Sequence, residues 1–139
     1  MKPLPKTERS LVLLTDFSDK AAWDRVRVAI QESSEEGFQA YVDCISDPAY
    51  AGLPVRQFVA LARKGADRRF AFIVDQITLT NPEHPVLVVD LDEQPGRTFR
   101  VIPSEMWGIE NNLWLANMDF SDFAECVQPD GVFRGFPEG

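Results

Sequence analysis

Unbroken apolar runs alternate with amphipathic segments in the first half of the chain. Apolar residues recur at helical spacing over residues 18–36 and from Pro54 to Gly65, which predicts two amphipathic helices. Between and around these segments, three runs have the length and apolar character of buried strands: "SLVLLT" (10–15), "FQAYVDCI" (38–45) and "FAFIVD" (70–75). Strands separated by helices predict parallel neighbours joined by right-handed crossovers.

The second half of the chain predicts a different arrangement. Runs at 86–91 and 97–102 flank the turn sequence "DEQPG", which is typical of a β-hairpin. The connection 76–85 shows no clear helix and ends in two prolines close together. The pattern of the remaining segments predicts a helical turn and loop, a sixth strand and a short helix: "PSEMWGIENN" (103–112), "LWLANM" (113–118) and "DFSDFAECV" (119–127).

These elements predict an α/β fold, in a single layered domain over residues 1–139. One mixed sheet of about six strands would have its first three strands parallel with helical crossovers, followed by the antiparallel hairpin. We expect residues 1–9 to form a flexible N-terminal segment. Residues 130–139 would form a tail that docks on the body through Val132, Phe133 and Phe136.

The tetrapeptide "DFSD" occurs twice, at residues 16–19 and 119–122, each time after an apolar run. Asp and Ser accept hydrogen bonds from the first free N–H groups of a helix, so the first Asp or the Ser of each copy is predicted to be an N-cap. The alternative is an acidic Mg²⁺ site, which would need both copies at one edge of the sheet. The predicted topology places them at opposite edges, which favours capping.

Composition and charge narrow the class of protein. Apolar residues make up 45% and charged residues 26% of the chain, as in soluble globular proteins. No apolar run approaches the roughly 18 residues of a membrane span, and no secretory signal is recognisable, so a cytoplasmic location is predicted. Cys44 and Cys126 are far apart, which favours free buried thiols.

A net charge of −8 disfavours nucleic acid and anionic membranes as partners. The basic run "RKGADRR" (63–69) is an exception to this charge, but it lies where a helix should end. Cations are expected at a helix C-terminus, so a solvated turn is favoured over a phosphate-binding patch. The chain contains no G-x-G-x-x-G and no P-loop sequence, and the sequence predicts no cofactor.

Polar and aromatic residues are predicted to gather at the edge where the parallel strands end. The candidate binding residues there are Glu83, His84, Glu105, Trp107, Asn111 and Asn112. The hairpin makes the two loops that flank it neighbours, so we expect Trp107 and His84 to share one surface. As an alternative, Asp16, Asp43 and Asp75 could hold a magnesium ion at the same edge.

Two classes of function fit these candidates. The favoured one is a non-enzymatic binding protein that recognises a protein partner through the acidic edge and its tryptophan. The charge favours a basic partner. The alternative is a small enzyme or small-molecule binder that uses the carboxylates, with or without Mg²⁺, together with His84 and Trp107.

The chain also resembles a known family. The resemblance is carried by "PEHPVLVVDLDEQPGRTFRVIPSEMWGIENNLWLANMDF", "TDFSDKAAW" and "DGVFRGF", and it extends from about Leu11 to Phe136. The family consists of small acidic proteins, mainly actinobacterial, that are labelled a domain of unknown function. The resemblance implies a bacterial cytoplasmic single-domain protein, and it implies no activity, cofactor or catalytic residue.

Overall fold

A computed structural model describes residues 2–32, 36–65 and 68–137, and within these residues the strands form one six-stranded sheet. The strand order across the sheet is β2-β1-β3-β4-β5-β6. The strands are β1 (Ser10–Leu14), β2 (Val42–Ile45), β3 (Phe70–Val74), β4 (Val86–Asp90), β5 (Thr98–Val101) and β6 (Val132–Phe133).

Helices connect the strands and cover both faces of the sheet. They are α1 (Lys20–Gln31), α2 (Val55–Lys64), α3 (Gln76–Thr80), α4 (Met106–Trp114) and α5 (Phe120–Ala124). Two short 3₁₀ helices add to them, at Pro48–Tyr50 and at Pro103–Glu105, the second leading directly into α4. In the described part of the chain, no helix is both long and apolar enough to cross a membrane.

The pairing of the strands confirms the predicted fold class. β1 pairs in parallel with β2 and β3, while β4 is antiparallel to both β3 and β5. The hairpin predicted at 86–102 is therefore present as β4 and β5. We call the edge where β1, β2 and β3 begin the N-terminal edge, and the edge where they end the C-terminal edge.

Each face of the sheet has its own apolar core, because successive strand residues point to opposite faces. Val12 and Leu14 belong to the core under α1, α4 and α5. Leu11 and Leu13 belong to the core under α2. The N-terminal segment lies against this second core, where Leu4 packs, and the Tyr50 hydroxyl and Arg68 donate hydrogen bonds to the carbonyls of residues 3 and 5.

The prediction of a strand at 113–118 is wrong, because these residues form no strand. The sixth strand, β6, lies in the C-terminal tail instead. Residue 113 ends a buried row along α4 that begins at Met106 and includes Ile109, with the spacing of a helix. A strand would bury alternate residues, yet Trp114 and Leu115 are both more than half exposed. β6 pairs in parallel with β5 and so forms the outermost strand on that side of the sheet.

Other boundaries also differ from the prediction. The loop predicted within 103–112 is helical, and the connection 76–85 contains α3, which begins with a capping box at Asp75 and Thr78. α1 ends at Gln31, five residues short of the predicted end, and β2 begins only at Val42. Residues 33–35 of the predicted helix lie outside the described residues. Residues 36–41 do not extend the sheet, and Phe38 among them stacks on Trp107 of α4.

Both copies of "DFSD" begin a helix, but they do so differently. In the first copy the N-cap is Asp19, whose carboxylate accepts the Ala22 N–H at 3.0 Å, whereas Asp16 closes a turn by accepting the Ser18 N–H. The prediction that the first Asp or the Ser caps this helix is therefore wrong. In the second copy Asp119 is the N-cap, and Asp122 accepts its N–H at 2.8 Å.

The two copies lie at opposite edges of the sheet, as predicted. The first follows the end of β1, where the Thr15 N–H donates to the Val74 carbonyl. The second lies near the N-terminal edge, where Arg97, just before β5, donates to Ser121. α4 carries the chain from one edge to the other, in place of the predicted strand.

Candidate functional site

Asp75, at the C-terminal edge, is held by structural partners. Arg100 donates two hydrogen bonds to its carboxylate, at 2.7 and 2.9 Å, and the Thr78 N–H donates a third at the start of α3. Partial burial favours the neutral acid, but the Arg100 guanidinium outweighs it and holds the pKa of Asp75 below its usual value. This geometry fixes β3, α3 and β5 to one another.

The loop before β4 places Glu83 and His84 next to the C-terminal tail. Arg134 donates two hydrogen bonds to the Glu83 carboxylate, at 2.8 and 2.9 Å, and also pairs with Asp130. His84 has a φ of 50° and its Nδ1 lies 2.9 Å from the Thr78 carbonyl oxygen. These contacts tie the loop and the tail together.

The three aspartates considered as a magnesium site are not brought together. Asp16 lies in the turn after β1, and Asp43 lies within β2, where it accepts the backbone N–H of Arg9 at 3.0 Å. The carboxylate of Asp75 forms a salt bridge with Arg100. Among the residues described, no group of three His, Cys, Asp or Glu side chains is placed to hold a metal ion.

The remaining predicted residues are spread along the helical segment 103–114. Glu105 is partly buried beside Gly135, and this burial and the nearby Glu36 raise the pKa of its carboxyl. Trp107 stacks on Phe38 with ring centroids 4.7 Å apart and an interplanar angle of 14°. Trp107 thus contacts the connection before β2 and the core under α4, whereas His84 contacts α3.

Asn111 and Asn112 point in different directions from the second half of α4. The Asn112 amide donates to the Gly108 carbonyl at 2.7 Å and so stays with its own helix. Asn111 is exposed and lines a cavity near the N-terminal edge. The predicted binding residues thus extend from the loop and tail at the C-terminal edge, with Glu83 and His84, to the N-terminal edge, with Asn111.

One cavity lies at the C-terminal edge, beside the ends of β1 and β2. Its volume is about 430 Å³, and Asp16, Asp19, Trp23 and Cys44 are among the residues that line it. Burial raises the pKa of the Cys44 thiol to about 11, so this thiol is protonated at neutral pH. Both Cys44 and Cys126 are free thiols.

The outer side of α4 forms a second and more distinctive surface. Trp107, Asn111 and Trp114 follow one another at intervals of four and three residues, so they lie along one side of the helix. The opposite side, with Met106, Ile109 and Leu113, is buried in the core. Trp107 contacts Phe38, and Trp114 lines the same cavity as Tyr41. We call Phe38, Tyr41, Trp107 and Trp114 the aromatic surface.

A buried carboxylate fixes the position of this surface. Glu110 is only 5% exposed, and it accepts the Ser10 hydroxyl and the Tyr41 N–H, each at 2.9 Å. α4 is thereby joined to the beginning of β1 and to the residue before β2. Tyr41 itself remains 61% exposed and Trp114 57% exposed, so the fixed backbone presents two large aromatic rings to solvent.

A cationic groove adjoins the aromatic surface at the N-terminal edge. Arg9, Arg68 and Arg69 line it together with Trp114, around a cavity of about 240 Å³. A second cavity of about 190 Å³ shares Arg9, Ser10 and Trp114 with the first and extends toward Tyr41 and Glu110. We call the lobe lined by Arg9, Arg68, Arg69 and Trp114 the arginine groove.

The comparison with protein families places all six strands and all five α-helices named above in one family. The model described as Domain of unknown function (DUF6924) matches residues 9–136. The chain belongs to this family. No curated protein matches the chain. The matched range contains the arginine groove and the aromatic surface, so both are features of the DUF6924 domain of this chain.

Sequence reasoning missed the arginine groove of this DUF6924 domain. The sequence predicts a solvated turn for the basic run at 63–69. Arg63 and Lys64 are exposed in the last turn of α2, as expected for cations at a helix end, and residues 66 and 67 lie outside the described residues. Arg68 and Arg69 instead line the groove with Arg9, which precedes β1. The available signal was position: basic residues directly before two neighbouring parallel strands meet at one sheet edge.

Proposed function

We propose that the protein is a small binding protein that recognises a partner protein through the aromatic surface. The observation that carries this proposal is the row of aromatic side chains along α4 and before β2, in which Tyr41 and Trp114 are more than half exposed on a fixed backbone. Tryptophan, tyrosine and arginine dominate the binding energy of protein interfaces. The proposal includes a cytoplasmic location in an actinobacterial cell, which the family resemblance and the two free thiols support.

Part of this surface coincides with the residues that the sequence singled out. Asn111 is exposed on the outer side of α4, near Tyr41, whereas Trp107 is partly buried against the core and stacks on Phe38. Glu83 and His84 are engaged with Arg134 and Thr78 near the tail. The proposed binding surface therefore includes two of the predicted residues, Trp107 and Asn111. It does not include Glu83 and His84, and it adds Phe38 and Tyr41 from the segment before β2.

A pull-down from a cell extract of the source organism tests the proposal. We expect the wild-type protein to retain a partner that the double substitution Tyr41→Ala and Trp114→Ala loses. Both rings are exposed, so the free energy of unfolding should change by no more than about 1 kcal/mol. Phe17→Ala is the matched control, because Phe17 is an exposed aromatic at the C-terminal edge. Retention of the same proteins by the double variant would contradict the proposal.

A second candidate is a small-molecule binder that uses the cavity at the C-terminal edge. One observation favours it: the cavity of about 430 Å³ beside Asp16 and Trp23 lies at the carboxyl ends of parallel strands, where α/β folds bind ligands. A fragment screen followed by NMR separates the two candidates. Shifts confined to Asp16 and the Trp23 indole would favour the small-molecule binder, whereas shifts at Tyr41 and Trp114 would favour the aromatic surface.

A further inference from the structure

The arginine groove holds positive charge that the described residues leave without carboxylate partners. Arg69 donates to the carbonyls of Leu113 and Trp114, at 2.7 and 2.8 Å, and Arg68 donates to the Pro5 carbonyl. The Arg9 guanidinium lies 4.2 Å from the centroid of the Tyr41 ring. In the described part of the chain, no carboxylate forms an ion pair with any of these three arginines.

The other arginines of the described residues fall into two groups. Arg25, Arg56, Arg63 and Arg97 form no ion pair but do not line the cavity that Arg9, Arg68 and Arg69 share. Arg27, Arg100 and Arg134 each pair with at least one aspartate or glutamate. In a chain with a net charge of −8, three arginines gathered at one edge without such a partner are a local exception. Arg68 is also partly buried, and this burial lowers the pKa of its guanidinium. A bound anion would offset the cost of burying that charge.

We infer that the arginine groove binds an acidic segment of the partner protein, with carboxylates beside Arg68 and Arg69 and an apolar side chain against Trp114. This inference rests on the proposed function and names the chemistry of the partner. A guanidinium donates two parallel hydrogen bonds to a carboxylate, which suits this groove to Asp or Glu side chains. Three cations favour a segment with more than one acidic residue.

The charges around the groove favour a short acidic segment over an extended polyanion. Glu8 and Glu110 line the lobe that adjoins Arg9, and Asp90, Asp92, Glu93 and Asp119 line a further cavity that shares Arg69, so the positive charge is confined to a short stretch between acidic residues. A nucleic acid would place further phosphates against this lobe and against an acidic molecule. The overall charge favours a basic partner, but a basic segment that docked on Trp114 would be repelled by the arginines that line the groove beside it.

NMR titration with short capped peptides tests the inference. The probe is acetyl-Glu-Glu-Phe-amide, compared with acetyl-Gln-Gln-Phe-amide and acetyl-Lys-Lys-Phe-amide. We expect the Glu peptide to shift the side-chain signals of Arg68, Arg69 and Trp114 and to bind at least about tenfold more tightly than the Gln peptide. Equal binding of the Glu and Gln peptides, tighter binding of the Lys peptide, or no binding would overturn the inference.

Substitutions in the basic run provide matched controls. We expect Arg69→Gln to weaken binding of the Glu peptide about tenfold. Arg63→Gln removes the same charge from the end of α2 and should leave binding unchanged. Equal weakening by both substitutions would indicate diffuse attraction and contradict a site. Since Arg69 also bonds to α4, Arg68→Lys serves as a second variant, which keeps the charge but loses the paired donors and should bind more weakly.

Failure of the inference and failure of the proposed function are distinguishable. If the partner protein is lost from the Tyr41→Ala and Trp114→Ala variant but retained by Arg69→Gln, the protein binds through its aromatic surface and the acidic-segment inference is wrong. If both variants retain the same proteins, the proposed function itself fails.

Discussion

Individual carboxylates in this protein have different structural roles, and the hydrogen-bond and ion-pair partners of each carboxylate identify its role. Asp75 and Glu83 pair with arginines, Asp19 caps a helix, and Glu110 is buried against a hydroxyl and a backbone N–H. Many of the acidic side chains in this acid-rich sequence thus stabilise local structure. Their abundance alone is therefore weak evidence for a metal or catalytic site.

Asp75 makes the stability of the fold depend on acid. Its pKa in the folded state lies below its ordinary value, so its contribution is complete above the unfolded-state pKa and is lost as pH falls through the folded value. We expect the Asp75→Asn variant to be less stable than wild type by a constant amount between about pH 5 and 7. That difference should shrink below about pH 4. Urea unfolding at a series of pH values measures it, and a difference unchanged at pH 3 would contradict the account.

The two acids of the first "DFSD" should differ in their effect on stability. Asp19→Ala removes the side-chain acceptor at the start of α1, and we expect it to lower the free energy of unfolding by about 1 kcal/mol. Asp16→Ala removes only a turn hydrogen bond and should cost less than about 0.5 kcal/mol. Chemical denaturation of both variants measures the difference, and a larger loss for Asp16→Ala would reverse this assignment of the cap.

At the scale of elements, α4 connects the core to the exposed aromatic rings. We expect Ile109→Ala to lower the free energy of unfolding by about 2–5 kcal/mol, since Ile109 is completely buried beneath this helix. Trp114→Ala removes a larger side chain from the exposed side and should cost no more than about 1 kcal/mol. Urea denaturation compares the two. A costlier Trp114→Ala would show that the apparent outer face of α4 is part of the core.

The strands were predictable from the sequence where burial produces a clear pattern. β1, β3 and β4 lie in the middle of the sheet, are buried along their whole length, and appear as apolar runs. In β5, Thr98 is exposed and Arg100 half-buried, and the turn sequence before this strand is what predicts it. α4 was missed, although Met106, Ile109 and Leu113 have helical spacing. Gly108 and the two adjacent asparagines have low helix propensity, which weakens the helical signal of this segment. β6 has two residues, too few for any periodicity to show.

The candidate site was predictable only in part, for a related reason. Trp107 and Asn111 were among the binding residues predicted from the sequence, and both lie in the row of residues along the outer side of α4. Arg9 and Arg68 are 59 positions apart and meet only because β1 and β3 are neighbours in parallel. That proximity depends on the order and direction of strands, which local pattern does not contain. The charged groove therefore emerged only from the three-dimensional fold.

At the scale of the whole molecule, the two ends of the chain complete opposite faces of the sheet. The N-terminal segment covers the core under α2, where Leu4 packs and Pro3 accepts the Tyr50 hydroxyl. The C-terminal tail supplies β6, and Phe133 enters the other core, against Phe99 and Phe123. A sheet edge made of two residues gains little from backbone pairing, so the buried ring of Phe133 must supply most of the stabilisation that holds the tail.

The tail is therefore expected to be part of the cooperative fold, through one residue in particular. Phe133 is 2% exposed, and Phe133→Ala should lower the free energy of unfolding by about 3–5 kcal/mol, because it leaves a cavity among aromatic rings. Phe136→Ala is the matched control. Phe136 is 47% exposed, so its loss should cost no more than about 1 kcal/mol. Urea denaturation followed by tryptophan fluorescence measures both. If the two variants are equally stable, the tail is an appendage of the domain and β6 does not contribute to its core.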